Sequence, residues 1–325
     1  MKEMITLGLE CTAHTFGIGI LKGKRILANA KDSYVTEKGG IIPIDAAKHH
    51  QEVKEIVLEK ALQEAQLSLK DIDLVSVSIS PGLPPCLSTG LKFAKKIASE
   101  NNIPIIGVAH TVAHLEIGKL LTEAKDPVLL YVSGANTQVI AFEGGRYRVF
   151  GETLDQGCGN FIDSFARYIG LGFPGGPKIE QLALQSTTFI PVPYVVKGMD
   201  VSFSGLLTNL KQKYDKGIKK EDLAFSLQET AFAMLLEVAE RALAHCQKKE
   251  LLLGGGVCCN ARFKEMAHMM CEERGAKCFI PPNPYLVDNG LMIGYLGYVM
   301  HKKGISHDIN TLDIKPYQRT DEVVF

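Results

Sequence analysis

A pattern of three short strands occurs twice in this chain, and it restricts the fold more than any other feature. Residues 4–31 contain three strand-like stretches, MITLGLE, IGILK and RILANAK, separated by the turns CTAHTFG and GK. Residues 128–154 repeat the order as VLLYVS, TQVIAFE and RYRVFGETL, with GAN and GG as turns. Apolar stretches bounded by glycine-containing turns are typical of antiparallel meanders. The chain therefore contains two copies of one meander.

Alternating helices and strands follow each meander. After the first copy the sequence predicts helices at 46–66, 88–100 and 110–124 around strands at 74–78 and 103–108. After the second copy the first helical step is longer, and then strands at 251–253 and 277–280 alternate with helices at 261–274 and 289–302. This order indicates two mixed sheets covered by helices.

We therefore expect an α/β fold of the duplicated actin-like ATPase type, the RNase H-like or ASKHA plan, with two lobes and a central nucleotide cleft. Residues 1–127 form the expected first lobe, and residues 128–325 form the second, with a helical insertion at about 157–247. The final helix, 289–304, is a candidate to pack back on the first lobe. Two unrelated α/β domains are the alternative.

Composition indicates where the protein is located, but it says little about the reaction. The 36 basic and 36 acidic residues cancel, although a neutral total can hide a local basic patch. No export signal and no run of about 18 apolar residues is visible, so we expect no membrane association and a cytoplasmic location. The eight cysteines form no Cys-x-x-Cys pair, which favours reduced thiols.

Two turns at matching places in the meanders are candidates for binding phosphate. They are residues 10–14, with Glu10, and residues 133–137, with Ser133, Gly134 and Ala135. Backbone N–H groups of such turns can contact phosphate oxygens, and small residues allow close approach. Each turn alone is also an ordinary hairpin turn.

Two further glycine-rich segments suit a nucleoside. Gly254, Gly255 and Gly256 follow a predicted strand and precede a helix, where bare backbone can contact a nucleoside. Residues 174–177, with Gly176, open another helix, and Glu180 lies one turn further on. Glu180 can accept hydrogen bonds from ribose, or it is a solvated residue favoured by the helix dipole.

A histidine pair indicates a metal site. His110 and His114 begin a helix directly after a strand, and their i,i+4 spacing places both imidazoles on one face. Tyr131 and Asp288 are candidates to complete the ligand set. Such nitrogen and oxygen ligands favour one divalent metal, iron first, with zinc or magnesium as alternatives. A hydrogen-bonded or surface pair is the other interpretation of these histidines.

Ten stretches together resemble the universal threonylcarbamoyl transferases for tRNA, known as Kae in archaea and eukaryotes and as TsaD in bacteria. The resemblance covers nearly the whole chain, and the sequence is most similar in pattern to archaeal members. The stretches are TAHTFGIGI at Thr12, TEKGGIIP at Thr36, VAHTVAHLEIGKL at Val108, LYVSGANTQVIA at Leu130, YRVFGETLDQGCGNFIDSFAR at Tyr147, LGFPGGPKIE at Leu171, VKGMDVSFSGLLT at Val196, QETAFAMLLEVAERALAH at Gln228, LGGGVCCNARFKEM at Leu253 and DNGLMIGY at Asp288.

The resemblance implies an enzyme that transfers threonylcarbamoyl from threonylcarbamoyl-AMP to N6 of the adenosine beside the anticodon in ANN-decoding tRNAs. It assigns the metal to His110, His114, Tyr131 and Asp288. It assigns the adenine nucleotide to Tyr131, Val132, Ser133, Gly134, Ala135, Asp163, Gly176, Glu180 and Asn260. It implies tRNA as partner, together with the small atypical protein kinase and small accessory subunits of the KEOPS complex.

Three positions depart from the family pattern. Cys11, Pro84 and Ala135 stand where the family commonly has glycine. The methyl group of Ala135 lies beside the proposed phosphate turn, so this departure concerns anion binding rather than the fold.

Catalytic residues are less well indicated than ligands. Glu10 and Lys197 are the candidates, with His14 and Asp200 near them in sequence. A sugar- or acetate-kinase would need aspartates in the two turns, whereas Glu10 and Ser133 stand there. A zincin would need a glutamate between the histidines, which HTVAH lacks. A metal- and nucleotide-binding scaffold without its own catalysis is the remaining alternative.

Overall fold

The computed structural model describes residues 3–36 and 40–323. Part of the TEKGGIIP stretch, residues 37–39, lies outside this description. The first part of the chain forms β1 (Ile5–Glu10), β2 (Thr15–Lys22), β3 (Arg25–Ser33), α1 (Pro43–Ala65), a 3-10 turn (Leu69–Asp71), β4 (Leu74–Ser80), α2 (Pro84–Asn101), β5 (Ile105–Ala109) and α3 (His110–Leu121).

The rest of the chain begins with the second meander and ends with a helix and a 3-10 turn. Its elements are β6 (Val128–Val132), β7 (Thr137–Glu143), β8 (Arg146–Glu152), α4 (Cys158–Tyr168), α5 (Gly176–Ala183), β9 (Val196–Lys197), β10 (Asp200–Val201), α6 (Ser204–Asp215), α7 (Lys220–His245), β11 (Glu250–Gly254), a 3-10 turn (Gly256–Cys259), α8 (Ala261–Arg274), β12 (Lys277–Phe279), α9 (Asn283–Leu286), α10 (Gly290–Lys302) and a 3-10 turn (Thr320–Glu322).

The two large sheets have the same topology. The first has strand order β3-β2-β1-β4-β5, and the second has the corresponding order β8-β7-β6-β11-β12. In each sheet the meander strands are antiparallel, and the two later strands add in parallel to the first meander strand. The expected duplication of an α/β unit is therefore confirmed.

Contacts divide the chain into two units. The first comprises Met1–Val35, Ile41–Leu121 and Asp288–Phe325, and the second comprises Thr36–Gly40 and Thr122–Val287. The sequence predicts 128–325 as the second lobe, with the final helix, 289–304, as a candidate to pack back on the first lobe. In the structure the segment from Asp288 onward belongs to the first unit. The reason is that α10 packs on β1 and β2 of the first sheet.

Glycines allow the backbone of α10 to approach this sheet closely. A Cβ on Gly290 would lie 2.2 Å from the amide nitrogen of Gly19, and a Cβ on Gly8 would lie 2.2 Å from the amide nitrogen of Gly294. Real Cβ atoms do not tolerate such distances, so only glycine fits at these contacts. The start of α10, and with it Asp288, is thereby held against β2.

The helical insertion shares the core of the second unit. Phe161 of α4 stacks on Phe203, at the start of α6, with ring centroids 5.3 Å apart. Phe232 of α7 stacks on Phe263 of α8 at 4.7 Å. The first of these buried aromatic pairs joins two parts of the insertion, and the second joins the insertion to α8. Within the described ranges, no helix combines the length and the apolar character needed to cross a membrane.

Candidate metal and nucleotide sites

Three predicted metal ligands meet in the first unit. Nε2 of His110 and Nε2 of His114 each lie 3.4 Å from Oδ1 of Asp288. One ligand atom from each of the three residues lies within 4.8 Å of the others. Both histidines are buried, while the Asp288 side chain is 17% exposed. A small cation could therefore contact all three side chains.

Local structure explains this convergence. Helix α3 begins at the residue directly after β5, so His110 lies at the carboxyl end of a strand and His114 one turn further. Asn289 caps α10, because its side chain accepts a hydrogen bond from the Met292 amide at 3.0 Å. Asp288 precedes this cap and is brought to the histidines by the contact of α10 with the sheet.

Glu10 supports His110 from behind. Its Oε2 accepts a hydrogen bond from Nδ1 of His110 at 2.9 Å, and its Oε1 accepts from the amide and hydroxyl of Thr12 at 2.7 and 2.5 Å. The Glu10 side chain is fully buried. A carboxylate on Nδ1 favours the tautomer in which Nε2 carries the lone pair that a metal binds, as in many metal sites. Nε2 is the atom that faces Asp288.

The charges of the group suit a cation. Burial opposes the charged form of His110, but Glu10 and Asp288 outweigh it and raise its pKa to about 9. Burial lowers the pKa of His114. Burial also opposes the charge of Asp288, yet the two histidines hold the pKa of its carboxyl well below the usual range. Two imidazoles and a carboxylate are ligands of divalent metals, so the residues present fit such an ion.

Tyr131, the fourth predicted ligand, belongs to the second unit. It lies on β6, where it pairs with Gln138 and Gly254, and it is fully buried. Its neighbours Leu130 and Val132 belong to the core cluster of this unit, so alternation places Tyr131 on the other face of the sheet. Its role as a ligand stays a prediction.

The turn at Ser133 packs on the start of α4. The amides of Gly159 and Asn160 donate to the carbonyls of Ser133 and Gly134 at 3.1 and 2.9 Å. Gly134 and Ala135 are exposed at the tip of the turn. Gly255, with φ +93°, lies against the carbonyl of Val132, so the glycine loop after β11 adjoins the end of β6. The structure thus brings these two predicted nucleotide segments together.

The predicted nucleoside contacts belong to the same unit and are held by hydrogen bonds. Oδ1 of Asp163 accepts from the Gly175 amide at 2.7 Å, beside Gly176 at the start of α5. Oε1 of Glu180 accepts from the Ala261 amide at 2.7 Å, which connects α5 to α8. Asn260 caps α8 through the Phe263 amide and donates to Gln228. Their roles as ligand contacts stay predictions.

The two catalytic candidates lie in different units. Lys197 is exposed on the short hairpin of β9 and β10, in register with Asp200, whose carboxylate accepts from the Glu152 amide at 2.9 Å. Glu10 is the buried partner of His110. Thr12 belongs to the first predicted turn, but the sequence predicts no contact of its side chain with Glu10. Asn160 lies far from the second turn in sequence and meets it only because α4 packs there.

The structure accommodates the three family departures in different ways. Cys11 is fully buried, and a Cβ on Gly90 of α2 would lie 1.9 Å from its Sγ, so the thiol occupies the space that Gly90 leaves. Pro84 begins α2, a position that needs no N–H donor. Ala135 is exposed in the second turn, where an added methyl group has room.

Comparison with known sequences gives one consistent result. The model of the family of tRNA N6-adenosine threonylcarbamoyltransferases matches residues 25–295. The tRNA N6-adenosine threonylcarbamoyltransferase of Thermococcus kodakarensis is 54% identical over 321 residues, which is 98% of each chain. A probable bifunctional tRNA threonylcarbamoyladenosine biosynthesis protein of Methanosarcina mazei is 50% identical over 99% of this chain, which spans 59% of that relative.

Comparison with solved structures concerns the fold alone. The crystal structure of HypF from Thermococcus kodakarensis gives a TM-score of 0.68 at 15% identity, covering 93% of this chain and 48% of that one. This likeness agrees with the two matching sheets and confirms the duplicated actin-like fold. By its sequence, the chain belongs to the family of tRNA N6-adenosine threonylcarbamoyltransferases.

Proposed function

We propose that this chain transfers threonylcarbamoyl from threonylcarbamoyl-AMP to N6 of the adenosine beside the anticodon in tRNAs that read ANN codons. The observation that carries the proposal is the His110, His114 and Asp288 group in a chain 54% identical to a tRNA N6-adenosine threonylcarbamoyltransferase. In the reaction, N6 attacks the carbamoyl carbon, the bond from that carbon to the phosphate oxygen breaks, AMP leaves and the amine loses a proton.

The metal is proposed to be iron, held by His110, His114, Asp288 and Tyr131. Nitrogen and oxygen donors of this kind suit iron, with zinc and magnesium as alternatives. A bound divalent ion would supply Lewis-acid stabilisation of negative charge on the leaving phosphate. The residues of the chain supply the geometry, since Glu10 orients His110 and the Asn289 cap holds the backbone next to Asp288.

Glu10 is proposed to act as a positioning residue. Hydrogen bonds from Thr12 and His110 occupy both carboxylate oxygens, and the side chain is closed to solvent. A general base needs an oxygen within reach of the proton that it removes. Lys197, an exposed cation, remains a candidate to contact the reacting groups.

The adenylate is proposed to bind the second unit. The turn of Ser133, Gly134 and Ala135 would hold the phosphate, while Asp163 and Glu180 would accept hydrogen bonds from ribose. The adenosine would also contact Tyr131, Val132, Gly176 and Asn260. Hydrogen bonds to α4, α5 and α8 hold these residues within one unit, which supports this assignment.

Calorimetry with AMP tests the ribose contact. Glu180→Ala should weaken binding by about 1–3 kcal/mol, the range for a lost charged hydrogen-bond partner. Gln181→Ala, an exposed neighbour on the same helix, is the matched control and should bind normally. If Glu180→Ala binds AMP as tightly as Gln181→Ala does, Glu180 does not contact the ribose.

The partners are proposed to be tRNA, a small atypical protein kinase and the small accessory subunits of KEOPS, all in the cytoplasm. A longer relative named as bifunctional supports a second activity working beside that of this chain. The experiment combines the chain, its partners, threonylcarbamoyl-AMP and tRNA, followed by mass spectrometry of the digested nucleosides. The modified adenosine is expected. Its absence, with intact donor present, would favour a scaffold without catalysis.

A further inference from the structure

Positive charge is concentrated in the helical insertion of the second unit. Residues 164–220 contain eight basic and three acidic residues, although the whole chain contains 36 of each sign. Five of these cations are lysines between the last turn of α6 and the first residue of α7: Lys211, Lys213, Lys216, Lys219 and Lys220. The neutral total therefore conceals one strongly basic region.

The end of α4 and the end of α6 form one surface. The hydroxyl of Tyr168, the last residue of α4, donates to both oxygens of Asp215 at 2.8 Å. Nζ of Lys211 lies 4.9 Å from the centre of the Tyr168 ring, and the Tyr214 ring packs edge-on at 6.1 Å. This geometry holds the Tyr168 ring, which is 42% exposed, beside a lysine.

Three further cations lie next to Tyr168 in the chain or beside residues close to it. Arg167, directly before Tyr168, is exposed. Leu171 lies three residues after Tyr168, and its carbonyl accepts a hydrogen bond from Nζ of Lys178 in α5 at 2.6 Å. Lys216 follows Asp215 and is also exposed. We call the surface formed by these five residues the basic patch: Arg167, Tyr168, Lys178, Lys211 and Lys216.

The cations of the basic patch differ from the arginines of α7 and α8. Among residues 3–36 and 40–323, none of the four lies within 4.0 Å of a carboxylate oxygen. In α7 and α8, by contrast, Arg241, Arg262 and Arg274 each pair with a glutamate. Charges of the patch are thus available to an external anion.

We infer that the basic patch is a tRNA-binding surface. This inference rests on the proposed function, which makes tRNA the substrate, and it adds the place of contact. Unpaired cations spread over three helices suit a phosphate backbone, and an exposed tyrosine between them suits stacking on an unpaired base. An acidic protein would use the cations but would gain little from the open aromatic face.

Salt-dependent binding of tRNA to the full-length chain tests the surface. The variant is Lys211→Gln/Lys216→Gln, and the control is Lys249→Gln/Lys277→Gln, two exposed lysines of the same unit with the same change of charge. Each lost phosphate contact reduces the slope of log affinity against log salt by about 0.7–0.9. The patch variant should bind about tenfold more weakly, with a slope lower by about 1.5, while the control binds like wild type.

Two results would overturn the basic patch as a tRNA surface. One is a patch variant that binds tRNA with wild-type affinity and salt slope. This result counts against the proposal even if the variant has lost binding to an acidic protein. The other is equal weakening in the control variant. The modification assay on wild-type chain separates this question from the reaction: failure to modify tRNA, with patch-dependent binding intact, contradicts the proposed function and leaves the basic patch standing.

Discussion

The turns that join the first two strands of each meander occupy equivalent places in two sheets of the same topology, yet they are built in opposite ways. In the first turn, Glu10 and Cys11 are buried, and the Glu10 carboxylate is saturated by Thr12 and His110. In the second turn, Gly134 and Ala135 are exposed, and the carbonyls of the turn accept hydrogen bonds from α4.

Under the proposed function, this difference fits the same supersecondary unit to two kinds of ligand. Buried side chains in the first turn orient a histidine, which is what a cation site needs. Open backbone in the second turn leaves space for an anion to approach, which a buried carboxylate would prevent. Substitutions in and around the two turns test this contrast.

Removal of Asp288 should have the largest effect, because its carboxylate is common to both histidines. In Asp288→Ala we expect metal content below about a tenth of wild type and transfer activity at least about 100-fold lower. Elemental analysis and nucleoside mass spectrometry are the measurements. Asp313→Ala, an exposed aspartate of the same unit, should keep both. Full metal content in a folded Asp288→Ala protein would contradict the site.

Glu10→Gln should lower metal affinity by about 10- to 100-fold, because an amide orients His110 less well than a carboxylate. Competition with a chromogenic chelator measures this affinity. Ser133→Ala, the corresponding test in the second turn, should leave metal affinity within about twofold of wild type. Equal effects of the two substitutions would remove the distinction between the turns.

Gly90→Ala should destabilise the first unit by about 1–3 kcal/mol, because its new methyl group meets Sγ of Cys11. Chemical denaturation gives the free energy of unfolding. Cys11→Gly/Gly90→Ala removes the thiol that the new methyl group meets. This double variant should recover at least half of the lost free energy of unfolding. A double variant no more stable than Gly90→Ala would show that the thiol and the glycine are not matched.

Ala135→Gly should have the smallest effect, tightening AMP binding by about twofold, because one methyl group leaves an exposed turn. Calorimetry measures the affinity, and Ala124→Gly, a buried alanine away from the turn in the same unit, serves as the control. Weaker binding in Ala135→Gly alone would mean that the methyl group contacts the ligand.

Sequence periodicity predicted the regular elements well and the short ones poorly. The predicted bounds of α8, 261–274, are those observed, and both meanders were found. The hairpin of β9 and β10 and the helix α9 were missed, because two-residue strands and a four-residue helix show no periodicity. The bond between Glu10 and His110 spans 100 residues, so only the parallel order of β1, β4 and β5 brings its ends together.

The return of α10 to the first sheet has a consequence for synthesis of the protein. His110 and Asp288 are far apart in sequence, and the whole continuous stretch Thr122–Val287 is translated between them. Domains fold as units while the ribosome works, so the second unit can fold before the first is complete. We expect nascent chains arrested before residue 288 to be cleaved by protease mainly within residues 41–121. A metal held by His110, His114 and Asp288 together could bind only after Asp288 has been synthesised.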